Sequence, residues 1–196
     1  MKATLITATA ITLCFFISSC NDKRDSSTST ATETTIKDSA DAMANNNNAP
    51  TVDTAGMASA FIMDASKGGM MEVELGKIAQ QNAASKAVKD FGAMMIKDHG
   101  TANDEIKVLA SQKNVIVNDD LGEHKQQVDD MRAMKGSAFD KTYVDMMVED
   151  HQTDVAKFET AANGPDAAVS AFATKTLPVL RKHLGAIKTI QAGMQK

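Results

Sequence analysis

From Met57 to the C-terminus, apolar residues recur with a period near 3.6, the spacing that places them on one face of an α-helix. Runs of more than three β-branched residues are absent there, and the helix-favouring residues Ala, Lys, Met, Glu and Gln dominate. Each apolar stripe occupies one side of its segment, so each helix should bury a single face. The pattern predicts an all-α domain over residues 57–196.

Four long helices are expected, with turn-forming residues at their boundaries. The first and last turns are short, whereas the link between the second and third helices is long. Two helical hairpins joined in this way predict an antiparallel four-helix bundle, taken here in an up-down-up-down order. The predicted helices are Ala58–Asn82, Ser85–Lys113, Ser137–Ala162 and Asp166–Met194, with a short extra helix around Gly122–Met134 in the long link.

Composition excludes several functional classes. The 21 Lys and Arg against 25 Asp and Glu give a net charge of −4, which lacks the basic footprint of a nucleic-acid-binding protein. The two cysteines, Cys14 and Cys20, both lie near the N-terminus, which excludes a disulfide scaffold, a Cys-based zinc finger and a Cys nucleophile in the helical domain. A Gly-x-Ser-x-Gly motif is also absent, so the sequence offers no support for an enzyme.

The N-terminus has the form of a secretory signal, with one Lys followed by a short apolar stretch that ends in small residues. The segment Ile-Ser-Ser-Cys that ends at Cys20 resembles the lipobox of bacterial lipoproteins, in which cleavage precedes the Cys and its thiol is then acylated. We therefore expect residues 1–19 to be a lipoprotein signal peptide and Cys20 to anchor the protein to a membrane of the bacterial cell envelope. The alternative is an ordinary secretory signal with Cys20 as an incidental thiol.

Residues 20–56 are rich in Ser, Thr, Asn and Asp and show no apolar periodicity. Such a segment cannot build a core, so it is expected to be a flexible tether. A coil of this length has a reach of roughly 30 Å, which would hold the helical domain clear of the lipid headgroups.

Three of the four His fall one in each of the last three predicted helices, and each follows the apolar stripe of its helix. They are His99, His151 and His183, and the first helix offers Glu72 near its inner face. In the up-down-up-down order, Glu72, His99 and His151 lie about 18–22 Å from their turns, whereas His183 lies about 28 Å away and fits less well. Glu is absent three residues before each His, so the Glu-x-x-His motif of di-iron carboxylate proteins is missing.

Three imidazoles and a carboxylate suit a divalent transition metal such as Zn, Fe, Cu or Ni. The alternative is a buried polar network that only sets the packing. Because neutral imidazole is the form that binds metal, uptake is expected to weaken as the pH falls through about 6.5. Met doublets at 70–71, 94–95 and 146–147 fit either thioether ligands for Cu(I) or filling of the core, and the core is the commoner use.

A short repeat connects the second and third helices. Residues 91–99 match residues 143–151 at a constant offset of 52, and both read aromatic, two residues, Met-Met, β-branched, charged, Asp-His. In the predicted order these two helices would run in opposite directions. The repeat includes Asp98 and Asp150, which either orient imidazole rings or point outward.

A set of motifs in fixed order resembles one bacterial family. The motifs are Gly-Gly-Met-Met-Glu at 68–72, Asp-His at 98–99 and 150–151, and Thr-Leu-Pro-x-Leu-x-x-His at 176–183. They resemble the domain-of-unknown-function family four-one-four-two, often labelled "predicted outer membrane protein". The resemblance implies a ferritin-like helical bundle and an envelope location, at the outer membrane, but no established activity. Its motif positions fall on Glu72, His99, His151 and His183.

The expectation is thus a lipid-anchored envelope protein that binds a transition metal or a small ligand inside a helical bundle. The alternative is a structural or interaction lipoprotein without metal.

Overall fold

The computed structural model describes residues 53–194, which form a helical bundle with one isolated bridge, between Ala83 and Gly136, and no strands. The predicted all-α class is confirmed, as is the short extra helix. Among these helices, none combines the length and the hydropathy that crossing a lipid bilayer requires. The elements are α1 (Thr54–Asn82), α2 (Lys86–Gln112), a 3-10 turn (Gly122–His124), α3 (Lys125–Ala133), α4 (Gly136–Ala162) and α5 (Ala167–Met194).

Helix α1 begins at Thr54, inside the segment that was expected to be a flexible tether. Asp53 sets this start, because its carboxylate accepts a hydrogen bond from the N–H of Gly56 at 2.9 Å and so caps the helix. The expected signal peptide, Cys20 and the rest of the expected tether lie outside the described residues.

The four long helices run up-down-down-up, and the expected up-down-up-down order is wrong. At one end of the bundle, the N–H groups of Ala84 and Ser85 in the α1–α2 turn donate to the carboxylate of Asp140, near the start of α4, at 3.1 and 2.8 Å. At the other end, Lys113 after α2 pairs with Asp166 in the α4–α5 turn. Helices α2 and α4 therefore run in the same direction, and each is antiparallel to α1 and α5.

The link between α2 and α4 is long enough to cross the bundle. It spans residues 113–135, of which nine form α3. Nine helical residues cover about 14 Å, and each extended residue adds about 3.3 Å, so the link can span the roughly 40 Å of α2. The apolar stripes could not reveal this, because they specify the inner face of a helix but not its direction.

Helices α1 and α2 approach each other closely. A Cβ added to Gly76 on α1 would lie 2.7 Å from the carbonyl oxygen of Gly92 on α2, so the two backbones touch without side chains between them. This contact fixes the spacing of the hairpin one turn away from Glu72.

Buried apolar side chains form clusters toward the two ends of the bundle. The cluster near the α1–α2 turn includes Phe91, Met95, Phe139, Tyr143, Met147 and Ile187. The clusters toward the other end include Ile62, Ile106, Phe158, Val169 and Leu180. Along α2, His99 lies between Met95 of the first cluster and Ile106 of the second, so a polar layer separates the two parts of the core.

Candidate metal centre

Four polar side chains, one from each long helix, meet in the layer between the apolar clusters. Glu72, His99, His151 and His183 are 1, 6, 0 and 0% exposed. The imidazole ring centres lie 5.7 Å (His99–His151), 5.2 Å (His99–His183) and 5.5 Å (His151–His183) apart. The structure therefore brings together all four residues that the sequence singled out.

The up-down-down-up order explains why His183 fits at the same depth. Glu72 lies 18 residues after the start of α1 and His183 lies 16 residues after the start of α5, and these two helices start at the same end. Their depths are then about 27 and 24 Å. His99 and His151 lie 13 and 15 residues after the starts of α2 and α4 at the opposite end, about 20 and 22 Å deep.

One nitrogen of each imidazole is held by a partner. The Nδ1–H of His151 donates to the carbonyl oxygen of Met147 at 2.9 Å, and the Nε2–H of His183 donates to Oδ2 of Asp98 at 2.9 Å. Nδ1 of His99 lies 2.7 Å from Oε2 of Glu72. Such partners fix the tautomer and the ring orientation of a metal-binding His.

The other nitrogen of each imidazole has no hydrogen-bond partner. Nε2 of His99, Nε2 of His151 and Nδ1 of His183 are all buried, as is the unpaired Oε1 of Glu72. Leaving a buried polar group unsatisfied costs about 1–3 kcal/mol, so several such atoms in one place call for a missing partner. One donor atom from each of the three His lies within 4.8 Å of the other two, an arrangement that fits a shared cation.

Burial keeps the imidazoles neutral. It lowers the pKa of His99 to about 4, against the raising effect of Asp154, Asp150 and Asp98, and it lowers the pKa of His151 to about 3. The pKa of His183 is also lowered by burial. Since neutral imidazole is the metal-binding form, these rings are ready to coordinate well below pH 6.5. The lowered pKa values of the rings place imidazole protonation below pH 6.5, and the pH dependence of metal uptake stays a prediction.

Carboxyl groups respond to burial in the opposite sense. Burial, and then Asp154, raise the pKa of Glu72 well above its ordinary value. Burial, and then Glu72, raise the pKa of Asp150 to about 7, and burial with Asp150 does the same for Asp154. The centre thus combines imidazoles whose pKa values are lowered with carboxyl groups whose pKa values are raised.

Asp154 and Tyr143 were missed as site residues, and Asp150 was considered only as a residue that orients an imidazole ring or points outward. Oδ2 of Asp150 and the hydroxyl of Tyr143 are both buried without a partner. The i, i+4 spacing of Asp150 and Asp154 on α4 was the available signal, because it places both carboxyl groups on one side of that helix. Tyr143 gave no polar signal, since its aromatic ring belongs to the apolar stripe. His124, the fourth His, ends the 3-10 turn and is not one of the clustered donors.

The Met doublets belong to the apolar core. Met71, Met95 and Met147 are buried in the cluster near the α1–α2 turn, and Met94 and Met146 pack against that cluster. His151 uses the backbone carbonyl of Met147. These positions favour the core-filling interpretation over thioether ligation.

A small cavity lies beside the centre. Its volume is about 30 Å³, and Glu72, His99, Asn103, Asp154 and Thr176 contribute its polar lining. This is room for a single water molecule. On another side the ring of Phe91 packs edge-on against His151 and His183, with centres 6.0 and 6.4 Å apart. The polar layer is thus covered by an aromatic side chain on one side and flanked by a polar void on another.

Comparison with known proteins gives a family and a fold. A family model described as "Domain of unknown function (DUF4142)" matches residues 39–190. The solved structure "Crystal structure of DUF305 fragment from Deinococcus radiodurans" is similar, with a TM-score of 0.60 over 68% of this chain and 94% of that chain. Its sequence identity is 8%, so the likeness concerns the helical fold alone. A search of curated protein sequences found no match.

Proposed function

We propose, for a chain that belongs to the DUF4142 family of domains of unknown function, that it binds one divalent transition-metal ion inside its helical bundle. The ligands are Nε2 of His99, Nε2 of His151 and Nδ1 of His183, and the carboxylate of Glu72 becomes the fourth by exchanging its contact with Nδ1 of His99 for the ion. The observation that carries the proposal is that the three inner nitrogens and Oε1 of Glu72 are buried without hydrogen-bond partners, and that one donor atom of each His lies within 4.8 Å of the other two. Imidazole and carboxylate donors suit Zn, Fe, Cu or Ni.

The surrounding residues support coordination rather than simple packing. Asp98 accepts a hydrogen bond from Nε2 of His183, and the carbonyl of Met147 accepts one from Nδ1 of His151. The other nitrogen of each of these two rings then keeps its lone pair for an ion. Outer partners of this kind also raise the basicity of the ligand. The rival interpretation is a hydrogen-bonded network without metal. Such a network would leave the four inner atoms unsatisfied at a cost of about 1–3 kcal/mol each.

Metal content of the purified protein tests the proposal. After reconstitution with Zn²⁺, Fe²⁺, Cu²⁺ or Ni²⁺ and removal of free ion, elemental analysis should find one ion per chain with at least one of these metals. His99→Ala and His151→Ala should each lose most of that ion. His124→Ala is the matched control, because it removes the one His outside the cluster and should retain full metal. Wild type without any ion, or His99→Ala and His151→Ala variants that both keep it, would favour the packing network.

We also propose that the metal-binding bundle is held at the cell envelope by acylated Cys20. The support is the lipobox-like segment before Cys20 and the polar stretch that separates it from α1. Two or more acyl chains anchor a protein stably, whereas one chain does so only marginally. On this proposal the ion site faces the aqueous side of a membrane, most simply the outer membrane, and its partner is the lipid surface rather than a nucleic acid.

A further inference from the structure

We propose that Asp150 is a fifth ligand of the same ion, so that the centre offers three imidazole nitrogens and two carboxylate oxygens. This inference rests on the proposed function, and it adds a ligand together with the class of metal that the site prefers.

Asp150 shares with the other four proposed ligands a buried polar atom that lacks a hydrogen-bond partner. Its Oδ2 atom is buried and has no hydrogen-bond partner. One donor atom from each of Glu72, Asp150 and His151 lies within 4.8 Å of the other two, so these residues form a second triplet beside the three His. Oε1 of Glu72 and Nε2 of His151 are 3.4 Å apart. Two ligands at 2.0–2.2 Å from one ion lie about 3.0–3.5 Å apart, which matches this pair.

The two triplets describe one ion because they share His151. Nδ1 of His151 is committed to the carbonyl of Met147, so only Nε2 remains as a donor. One nitrogen lone pair binds one metal ion. Two ions that each used His151 would need a second donor from it, which it does not have. Because Nε2 is the one donor atom left on His151, the two triplets share it, and a single ion bound there would be within reach of both.

The aspartates of the two Asp-His pairs in the repeat make different contacts. Asp98 reaches across to α5 and accepts the hydrogen bond from His183 at 2.9 Å, so its carboxylate is already engaged. Asp150 holds the equivalent position before His151, but its inner oxygen is unpaired. Of these two aspartates, Asp150 is the one whose oxygen is free to bind an ion.

Charge balance supports the same assignment. Three neutral imidazoles leave the full +2 charge of a divalent ion in a buried site, and an uncompensated buried charge is strongly destabilising. Glu72 and Asp150 as carboxylates bring the ion and its ligands to neutrality. The pair of hard oxygen ligands also sets the metal class, since Fe²⁺, Zn²⁺ and Ni²⁺ accept mixed nitrogen and oxygen donors, whereas Cu(I) prefers sulfur.

Cobalt substitution tests the inference, because the visible bands of Co²⁺ report its coordination number and its affinity can be measured in the same titration. Wild type should bind one Co²⁺ with a five-coordinate spectrum. Asp150→Ala should weaken Co²⁺ binding by roughly tenfold to a hundredfold or more, since loss of an outer partner alone has that effect, and should change the spectrum. Glu149→Ala, which removes the adjacent exposed carboxylate on α4, should do neither.

A second variant separates ligation from structure. Asp150→Asn keeps the shape of the side chain and removes its charge. If Asp150 serves the ion, this variant should have an unchanged or higher thermal midpoint without metal and a smaller rise in midpoint when Co²⁺ is added. A lower midpoint without metal and an unchanged rise with Co²⁺ would show a structural role and overturn the inference.

The outcomes distinguish the two proposals. Wild type and Asp150→Ala with the same Co²⁺ affinity and spectrum would overturn the ligand role of Asp150 and leave the His centre intact. Wild type that binds no Co²⁺ or other transition metal would overturn both.

Discussion

Burial shifts the pKa values of the imidazoles and of the carboxyl groups in the centre in opposite directions. Imidazoles lose affinity for the proton when they are buried, and carboxyl groups gain it. Here the pKa of His99 falls to about 4, while the pKa of Asp150 rises to about 7. On the metal proposal, a proton near neutral pH would therefore compete with the ion at the carboxyl groups and not at the rings.

The first prediction concerns the pH dependence of metal affinity. The carboxyl groups must ionise before they can bind, so affinity should fall as the pH drops from 8 through about 7, the raised pKa of Asp150. Imidazole protonation should add to the loss only near pH 4. Calorimetric titration with Zn²⁺ in buffers of different ionisation enthalpy should detect protons released on binding at pH 6.5.

Asp150→Asn is the control for this prediction, because it should release fewer protons than wild type. An affinity that stays constant from pH 8 to 6 and then falls steeply at 6 would contradict the carboxyl assignment.

At this scale the sequence predicts which residues meet but not how they are oriented. His99, His151, His183 and Glu72 could be chosen because each continues the apolar stripe of its helix. Which nitrogen faces inward depends on Asp98 and on a backbone carbonyl, and neither contact has a sequence signature. Asp150 shows the same limit. Its neighbours on the repeat place it beside a His, but only the packed bundle shows that its oxygen lies inside.

At the scale of helices, the separation of α1 and α2 decides whether Glu72 reaches His99. That separation is set where Gly76 and Gly92 face each other. A helix normally gains about 1 kcal/mol when Gly is replaced by Ala, unless the added methyl meets another atom.

The second prediction compares two glycines of α1. Gly76→Ala places a Cβ 2.7 Å from a backbone oxygen that cannot swing aside, so we expect a net loss of about 1–3 kcal/mol in the free energy of unfolding. Gly68→Ala is the control on the same helix, because its Cβ meets nothing within 4 Å and should gain up to about 1 kcal/mol. Urea unfolding measures both. Equal changes in the two variants would show that the close approach is unimportant.

The helices were predictable from the sequence, and their order was not. Periodicity and turn residues predicted four long helices and a short one, with the bounds shifted by a few residues where Asp53 caps α1. The order depends on the end of the bundle at which the link at 113–135 lets α4 begin. The link is long enough to reach either end. The poor depth of His183 in the up-down-up-down order was the one sequence-based sign that this order was wrong.

At the scale of the whole molecule, the proposed anchor would determine where the proposed metal binding takes place. The third prediction is that Cys20→Ala moves the protein from the membrane fraction to the aqueous fraction, because acylation requires the thiol. Cys14→Ala is the control, since Cys14 lies in the segment expected to be removed and this variant should remain at the membrane. Immunoblots of separated fractions measure the result. Equal distribution of wild type and Cys20→Ala would contradict the lipoprotein proposal.

The donors are divided between the two hairpins of the bundle. Glu72 and His99 belong to the α1–α2 hairpin, and Asp150, His151 and His183 belong to the α4–α5 hairpin. One hairpin thus carries two of the proposed ligands and the other carries three, and residues 118–120 of the link between them are exposed. If the chain were cut in that stretch, binding of the proposed ion would favour reassociation of the two hairpins. At ion concentrations above the dissociation constant, every tenfold increase would strengthen the association of the halves by about 1.4 kcal/mol.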